Sequence, residues 1–210
     1  MLNFILYIAS KYLKKQESFV IWILKQIAQF KTIFILNKKR RKELKLNIFN
    51  ELKSRFYGYE VYKNAKSIGK DFYCSSFCNV NQKTILGDFV NFNGMRMEGD
   101  GEVNIGNYFH SGTECLIITR SHDYDNSDKI PYDPLHHIYK KVTIGDFVWL
   151  GSRVMILPGT TIGEGAIIQG GSVVHGTIPP YAIAGGNPAK VFKYRDIEHF
   201  KKLKCENKFY

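Results

Sequence analysis

The amino-acid sequence predicts an all-β solenoid, in which the chain winds a prism of very short parallel strands. Near the C-terminus an aliphatic residue stands at every sixth position: Ile144, Leu150, Ile156, Ile162, Ile168 and Val174. A helix buries one face about every 3.6 residues and a strand about every two residues, so neither element explains this period. A short strand followed by a corner, repeated, does explain it, because each rung then buries its aliphatic side chain on the next rung.

The same period is present less regularly between residues 68 and 117. The step of six is kept by Ile68, Cys74, Val80, Leu86 and Phe92, and a slip of one residue then precedes Ile105. Residues 118–141 are polar, aromatic and proline-containing, and they have no period. A loop of this length inside a compact domain is usually functional. We therefore predict a β-helix over residues 61–192 that contains a functional loop at residues 118–141.

Residues 1–60 are predicted to form a basic helical region. Residues 1–66 carry 15 Lys or Arg against four Asp or Glu, which accounts for the whole net charge of +11. Three interpretations stay open: a helical cap on the first rung, a peripheral membrane contact through residues 1–57, and a nucleic-acid patch. The cap is favoured, and we expect no nucleic-acid partner.

The composition favours a cytoplasmic protein. The longest early apolar runs, residues 4–9 and 19–24, have six residues each, whereas a bilayer span needs about 20. Four cysteines without a CxxC pair favour reduced thiols.

At the C-terminal end of the chain, residues 185–190 (GGNPAK) predict a tight exit from the coil, and residues 193–210 predict a short C-terminal helix.

The stretch from residue 144 to residue 191 resembles the hexapeptide-repeat acyltransferases. The resemblance rests on the ordered hexads, the loop that contains His122, the step Trp149-Leu150-Gly151 and the GNPAK exit. It covers residues 68–195 and is closest to the galactoside, maltose and xenobiotic acetyltransferase branch and to polysaccharide O-acetyltransferases of colanic-acid type. It implies a left-handed parallel β-helix, a homotrimer, and acetyl-CoA bound in the cleft between neighbouring subunits.

His122 is the residue that the resemblance marks as the general base. The reaction needs a group that takes a proton from an alcohol or amine as it attacks a thioester, and histidine, with an ordinary pKa of about 6.5, suits this. Such a base needs an orienting partner on its second ring nitrogen. Asp123 is adjacent, and Glu98 or a backbone carbonyl are the alternatives.

The resemblance also implies residues for the two substrates. Asn91, in the segment that includes Asn93, matches a position that contacts the acceptor, although a corner asparagine is an alternative. Tyr124 and Tyr132 either stack on a sugar ring or pack the loop. The predicted acetyl-CoA contacts are Trp149, Ser152, Gly170, Gly171, His175, Lys190 and Lys193, with Arg195 as a weaker match. In this set the glycines leave room for the pantetheine arm, and the lysines face the nucleotide phosphates.

No metal is expected. His136 and His137 form a pair in the loop, but the six histidines lack the spacing of the γ-class carbonic anhydrases, which share this fold. The predicted activity is therefore acetyl-CoA-dependent O-acetylation of a saccharide: a cell-surface polysaccharide, lipopolysaccharide or its precursor. The alternatives are an amino-sugar or xenobiotic N- or O-acetyltransferase and, more distantly, a non-catalytic module that docks on membrane or nucleic acid.

Overall fold

A computed structural model describes residues 38–210, with side chains from residue 46 onward. The chain forms two compact units, residues 1–52 and residues 53–210, and the solenoid lies in the second. Of the predicted helical region, residues 1–37 lie outside the described residues. In the described part no helix has the length and apolar content that crossing a bilayer would require.

From residue 38 onward, two helices precede the first strand: α1 (Lys38–Tyr57) and α2 (Tyr59–Asn64). The end of α1 is bound to the first turn of the solenoid, because the hydroxyl of Ser54 accepts a hydrogen bond from the Cys74 backbone N–H at 2.8 Å. Val61 of α2 is fully buried in the same core as the first turns. This arrangement supports the interpretation of the last part of the N-terminal region as a cap.

The solenoid has three faces, and its strands run parallel across each of them except at one hairpin. The first face contains β1 (Ser67–Ile68), β3 (Thr84–Leu86), β6 (Val103–Ile105), β11 (Val142–Ile144), β14 (Thr161–Ile162) and β17 (Thr177–Ile178). The second contains β2 (Tyr73–Cys74), β4 (Asn91–Asn93), β7 (His110–Thr113), β12 (Trp149–Leu150), β15 (Ile167–Ile168), β18 (Ala182–Gly186) and β19 (Ala189–Tyr194). The third contains β5 (Arg96–Glu98), β8 (Leu116–Ile118), β13 (Met155–Ile156) and β16 (Val173–Val174).

The six-residue ladder forms the core, as predicted. The six aliphatic residues that repeat every six positions are all buried, at no more than 2% exposed. They fall on the three faces in turn, and in the parallel register each stacks on its equivalent one turn away, as Ile144 does on Ile162. The small residues four places on, such as Val154 and Ala166, are buried as well. The predicted β-helix over this stretch is confirmed.

The slip between Phe92 and Ile105 has a local cause. The corner after β4 is short, so the equivalent core residue on the third face is Met97, only five places after Phe92. The following corner, around residues 99–101, is correspondingly long, and β6 resumes the register with β3 and β11. The pairing of β4 with β7 is irregular at the same point.

Residues 118–141 form a projecting arm rather than an unstructured loop. Strands β9 (Arg120–His122) and β10 (His137–Tyr139) pair antiparallel, and the remaining residues connect them. The arm leaves the solenoid between β8 on the third face and β11 on the first face. Its base is anchored by buried Thr119, whose hydroxyl donates to the Glu98 carbonyl at 3.0 Å and accepts from the Gly101 N–H at 3.0 Å.

The chain leaves the coil through a hairpin of β18 and β19 and ends in helix α3 (Ile197–Cys205). The predicted helix is present but starts later than expected, because Lys193 and Tyr194 continue the pairing with β18. The side chain of Asp196 caps α3 by accepting a hydrogen bond from the His199 N–H at 2.9 Å.

An aromatic ladder runs along one corner of the solenoid. Phe89, Tyr108 and Phe147 occupy equivalent corner positions, with ring centroids 4.7 and 4.9 Å apart and planes within 9° of parallel. Each has a positive φ of 54–57°, which costs roughly 1–2 kcal/mol per L-residue. Stacking of the rings contributes about 0.5–1.5 kcal/mol per pair and so offsets part of this cost.

The C-terminal helix docks where this ladder ends. The next equivalent corner residue is Gly165, with φ of +68°, and a Cβ there would lie 2.9 Å from Tyr181 and 3.1 Å from the Phe200 ring. The ring of Phe200 on α3 thus fits the place that a corner side chain would fill. Arg195 supports it by donating from Nε to the Gly165 carbonyl at 2.6 Å.

Candidate active site

The candidate base lies on the projecting arm. His122 ends β9 opposite His137 of β10, and the two ring centroids are 4.7 Å apart. The ring of Tyr132, from the connection between these strands, lies on His122 with centroids 3.8 Å apart and planes 17° apart. The imidazole is therefore held by ring contacts on the arm itself.

The two ring nitrogens of His122 differ. Nδ1 is buried and has no hydrogen-bond partner among the described residues, whereas Nε2, which also bonds to none of them, is not fully buried. Nε2 is thus the nitrogen that can meet a substrate. Asp123 does not orient the ring, because its carboxylate accepts hydrogen bonds from the Asn126 backbone N–H at 3.1 Å and its Nδ2 at 3.0 Å. Glu98, the other candidate, forms an ion pair with Arg96.

A polar network shapes the connection that carries Tyr132. The Ser127 hydroxyl accepts from the Asp133 N–H at 2.5 Å, and the Asp133 carboxylate accepts from the Leu135 N–H at 3.0 Å. Lys129 Nζ lies 3.3 Å from the same carboxylate. The Leu135 N–H, and then Lys129, lower the pKa of Asp133 below its ordinary range. Asp133 is therefore an anion at neutral pH, and it lies next in sequence to Tyr132, which contacts His122.

The residues predicted to contact the acceptor lie apart from one another. Asn91 is half-buried on the second face, between Tyr73 and His110 in the parallel register. The side chain of Asn93 accepts a hydrogen bond from the Ser75 hydroxyl at 2.6 Å and so ties two turns together. Tyr124 is an exposed residue of the arm, 68% accessible.

Trp149 lies on the same face as Asn91. In the parallel register Trp149 lies between His110 of β7 and Ile167 of β15, and half of its surface is exposed. Burial lowers the pKa of His110, which keeps this imidazole uncharged near neutral pH. Trp149 and His110 line a cavity of about 370 Å³ together with aromatic and basic residues of the C-terminal segment.

Three of the predicted cofactor residues meet at one corner, between the second and third faces. The Gly171 N–H donates to the Ser152 carbonyl at 2.8 Å, and the Ser152 hydroxyl accepts from the Thr113 N–H at 3.2 Å. Gly170 and Gly171 are exposed, and a Cβ at Gly171 would meet no atom within 4 Å. The main chain is therefore open at Gly171, whereas a Cβ at Gly170 would lie 3.0 Å from the Ser152 carbonyl oxygen.

The predicted basic contacts lie on the exit hairpin. Lys190 pairs with Gly185 and Lys193 with Ile183 on β18, and both lysines are exposed. Neither forms an ion pair with any residue that the structure describes. Arg195 differs, because it is half-buried, its guanidinium lies 5.4 Å from the centroid of the Phe200 ring, and burial lowers its pKa.

His175 is exposed at a third place, the corner between β16 and β17. The projecting arm leaves the solenoid at the same corner two turns earlier, and the base of the arm lies beside Gly159 of the turn between them, since a Cβ on Gly159 would lie 3.3 Å from Lys140. Within residues 38–210 no group of three or more His, Cys, Asp or Glu side chains could hold a metal ion.

The described chain thus assembles parts of the predicted site but not the whole. His122 leaves from the corner between the third and first faces, whereas Asn91, Trp149, Lys190 and Lys193 belong to strands of the second face. The sequence reasoning missed the placement of Tyr132 on His122 and the pairing of His122 with His137. The sequence offered one signal for the pairing of His122 with His137, namely the segment His137-Ile138-Tyr139. This segment is too short to be a specific signal for a strand.

The repeat region of this chain is similar to known proteins. The family model described as bacterial transferase hexapeptide, six repeats, matches residues 141–176. Chloramphenicol acetyltransferase of Klebsiella aerogenes is 54% identical over 106 residues, which cover 43% of this chain and 50% of that protein. Galactoside O-acetyltransferase of Escherichia coli strain K12 is 41% identical over 86 residues, covering 35% and 42%. The chain spans half or less of the length of these curated relatives.

A solved structure extends the likeness to nearly the whole fold. A hexapeptide-repeat-containing acetyltransferase from Vibrio cholerae superposes with a TM-score of 0.54 at 25% identity, over 88% of this chain and 98% of that one. The left-handed parallel β-helix expected from the sequence is thus confirmed.

Proposed function

We propose that this chain, which belongs to the hexapeptide-repeat acetyltransferase family, transfers an acetyl group from acetyl-CoA to a hydroxyl group of a saccharide. The acceptor class is a cell-surface polysaccharide, lipopolysaccharide or its precursor. The observation that carries the proposal is His122, which stands on a projecting arm with one accessible nitrogen and a ring held by Tyr132.

His122 acts as general base through Nε2. It takes the proton of the acceptor hydroxyl as that oxygen attacks the acetyl carbonyl, and it returns the proton to the departing sulfur. Acetyl-CoA supplies the acetyl group as a reactive thioester. A neutral ring that accepts at Nε2 carries its own hydrogen on Nδ1, so the buried Nδ1 needs an acceptor that is not found among the described residues of one chain.

A neighbouring copy is the natural source of the missing parts. The base and the second-face residues lie on different sides of one solenoid, so a site that uses both requires two subunits, as in a homotrimer. The arm favours such packing because it exposes Ile130 at 99% and Leu135 at 81% with no apolar cover. We propose that the arm of one subunit reaches the second face of the next.

The chain has a surface that fits acetyl-CoA. The open main chain at Gly171, beside Ser152 and the exposed Gly170, leaves room for the narrow pantetheine arm and its amides. Trp149 gives an exposed apolar wall that shields the thioester from water. The exposed cations of Lys190 and Lys193, which form no ion pair with the described residues, suit the phosphates of the nucleotide. His175 lies on the same edge of the solenoid as the arm, two turns further along.

The acceptor has two candidates. Asn91 and Tyr124 offer an amide and an exposed ring, a combination that suits a sugar, and galactoside O-acetyltransferase is among the relatives. The second candidate, a xenobiotic or amino-sugar acceptor, is favoured by the 54% identity to chloramphenicol acetyltransferase over 106 residues.

We place the enzyme in the cytoplasm, at the inner face of the membrane, where saccharide precursors are assembled on carriers.

One assay tests the proposal. The purified full chain is incubated with acetyl-CoA and a panel of neutral sugars, amino sugars and chloramphenicol, and release of the free CoA thiol is followed. We expect turnover with a hydroxyl-bearing saccharide that exceeds the rate without acceptor. Turnover with chloramphenicol or amines alone would favour the second candidate, and no stabilisation by millimolar acetyl-CoA in a melting experiment would refute the proposal.

A further inference from the structure

An exposed aromatic cluster stands at the start of the solenoid. Phe56 and Tyr57 end helix α1, and Phe77 belongs to the first turn. The Phe77 ring lies 5.4 Å from Phe56 and 4.8 Å from Tyr57, edge to face in both pairs. Phe56 is 57% and Phe77 67% exposed. Single exposed phenylalanines are ordinary, but contiguous ones mark an interaction surface. We call these three residues the aromatic patch.

The patch is fixed in place. The chain on either side of Phe77 is bound to the end of α1: the Cys74 N–H donates to the Ser54 hydroxyl at 2.8 Å, and the Cys78 N–H donates to the Tyr57 carbonyl at 3.3 Å. Cys74 and Cys78 are themselves buried. Phe77 is thus held outward by anchored backbone, and its exposure does not result from a loose loop. A ring kept in water in this way loses no further backbone entropy when a partner covers it.

The charge beside the patch is positive. Lys53 Nζ lies 5.6 Å from the centroid of the Tyr57 ring. Helix α1, which carries Phe56 and Tyr57, contains eight Lys or Arg and two Glu. The sequence before the first strand holds the whole excess of positive charge, whereas residues 67–210 are neutral in sum. A partner that complements the patch and the neighbouring Lys53 therefore combines negative charge with a shallow apolar layer.

We propose that the aromatic patch inserts into the interfacial layer of an anionic lipid bilayer. Phenylalanine and tyrosine rings bury at the level of the headgroups while neighbouring lysines meet lipid phosphates, and each cation near such a surface adds to the attraction. An excess of cations over carboxylates argues against a second copy of this chain as the partner, because the same basic surface would then face itself. The proposal stands whether or not the arm catalyses acetyl transfer.

Vesicle co-sedimentation of the full chain tests the proposal. Phosphatidylcholine vesicles are compared with vesicles that contain about 30% phosphatidylglycerol, an anionic content that gives a strongly negative surface. We expect binding to the anionic vesicles that falls as salt screens the surface. The double variant Phe56→Ser/Phe77→Ser should lower the partition coefficient by about tenfold or more, because two exposed rings no longer leave water.

Matched variants make the result decisive. Phe192→Ser removes a phenylalanine that is equally exposed, at 56%, on the far strand β19, and it should bind as the wild type does. Phe77→Glu alone, at a loop position, should weaken binding if the double variant melts early. Wild-type binding by the Phe77→Glu variant, equal binding to neutral vesicles, or self-association through the patch in place of vesicle binding would each overturn the proposal.

Discussion

The ring of Tyr132 lies on the imidazole of His122, with centroids 3.8 Å apart and planes 17° apart. This contact joins the two parts of the arm, since His122 ends a strand and Tyr132 belongs to the connection. It also restricts the imidazole to one plane, which fixes the direction in which Nε2 points. The arm thus orients its histidine by stacking, while Nδ1 has no hydrogen-bond partner within the described chain.

Removal of this stacked ring should slow the proposed reaction without weakening cofactor binding. A stacked aromatic pair contributes about 0.5–1.5 kcal/mol, so Tyr132→Ala should lower kcat by about two- to tenfold and leave the KM for acetyl-CoA unchanged. Tyr132→Phe keeps the ring and should keep the rate. Steady-state kinetics of the three proteins provide the measurement, and equal losses in both variants would show that the hydroxyl matters rather than the ring.

Loss of the base itself should be more severe. His122→Ala should reduce kcat by about 10²–10⁴-fold, the usual contribution of a positioned proton acceptor. His136→Ala is the matched control, because His136 is an exposed histidine of the same arm whose ring has no assigned role. If His122→Ala turned over as fast as His136→Ala, the assignment of the base would be wrong.

The two exposed lysines of the exit hairpin should act on the nucleotide end of the cofactor. Lys190→Gln/Lys193→Gln should raise the KM for acetyl-CoA by about five- to tenfold, because charge-assisted contacts to phosphate are lost, and should leave kcat unchanged. With acetylpantetheine, which lacks the nucleotide phosphates, the variant and the wild type should behave alike. Lys202→Gln, an exposed lysine on α3, controls for net charge. A loss that persisted with acetylpantetheine would contradict the assignment.

A methyl group on Gly165 should destabilise the C-terminal end of the solenoid. Gly165 and Gly176 have nearly the same positive φ, +68° and +71°, but only at Gly165 would a Cβ meet other atoms, 2.9 Å from Tyr181 and 3.1 Å from Phe200. Gly176→Ala should cost about 1 kcal/mol for the backbone conformation, and Gly165→Ala about 1–3 kcal/mol more for the crowding. Denaturant unfolding of both variants measures the difference, and equal values would place Phe200 elsewhere in solution.

The connection that carries Tyr132 should loosen in acid. The lowered pKa of Asp133 means that its carboxylate stabilises the folded arm fully above its ordinary pKa of about 3.9 and loses this contribution as pH falls through the lower folded value. Peptic cleavage between residues 123 and 136 should therefore appear only below about pH 4. In Asp133→Asn the segment should be cleaved by a neutral protease at pH 7, whereas Asp125→Asn, an exposed carboxylate nearby, should resist. Cleavage of the wild type already at pH 5 would contradict this role.

The sequence was sufficient for the solenoid because its signal is periodic and local. The six-residue step from Ile156 to Ile162 can be recognised without knowing which distant residues lie nearby. All six aliphatic residues predicted to form the ladder near the C-terminus are buried. It was insufficient for the arm, because β9 and β10 are short, polar and separated by 14 residues, so their pairing depends on side-chain bonds such as Ser127 with Asp133 that no period reveals. For the same reason the position of Tyr132 could not be foreseen.

The predicted site residues likewise fall into two groups, those on the periodic solenoid and those on the arm. Glycine corners and the exit hairpin lie where the repeat placed them, so the positions of Gly171, Ser152, Lys190 and Lys193 in the fold could be predicted, while their contacts with the cofactor stay predictions. The orienting partner of His122 could not, because adjacency in sequence says nothing of where a carboxylate points, and Asp123 turns back to Asn126.

The aromatic ladder gives the turns of this coil separate identities. A β-helix of near-identical rungs can mispair while it folds, because a turn that stacks one rung too high buries the same pattern of aliphatic residues. Ring spacings of 4.7 and 4.9 Å match the strand spacing of about 4.8 Å, so Phe89, Tyr108 and Phe147 stack only when their three turns are consecutive. The turn of Gly165 lacks a ring and receives Phe200 of the C-terminal helix instead. Correct winding is thereby distinguished from a slipped register by a row of side chains outside the core.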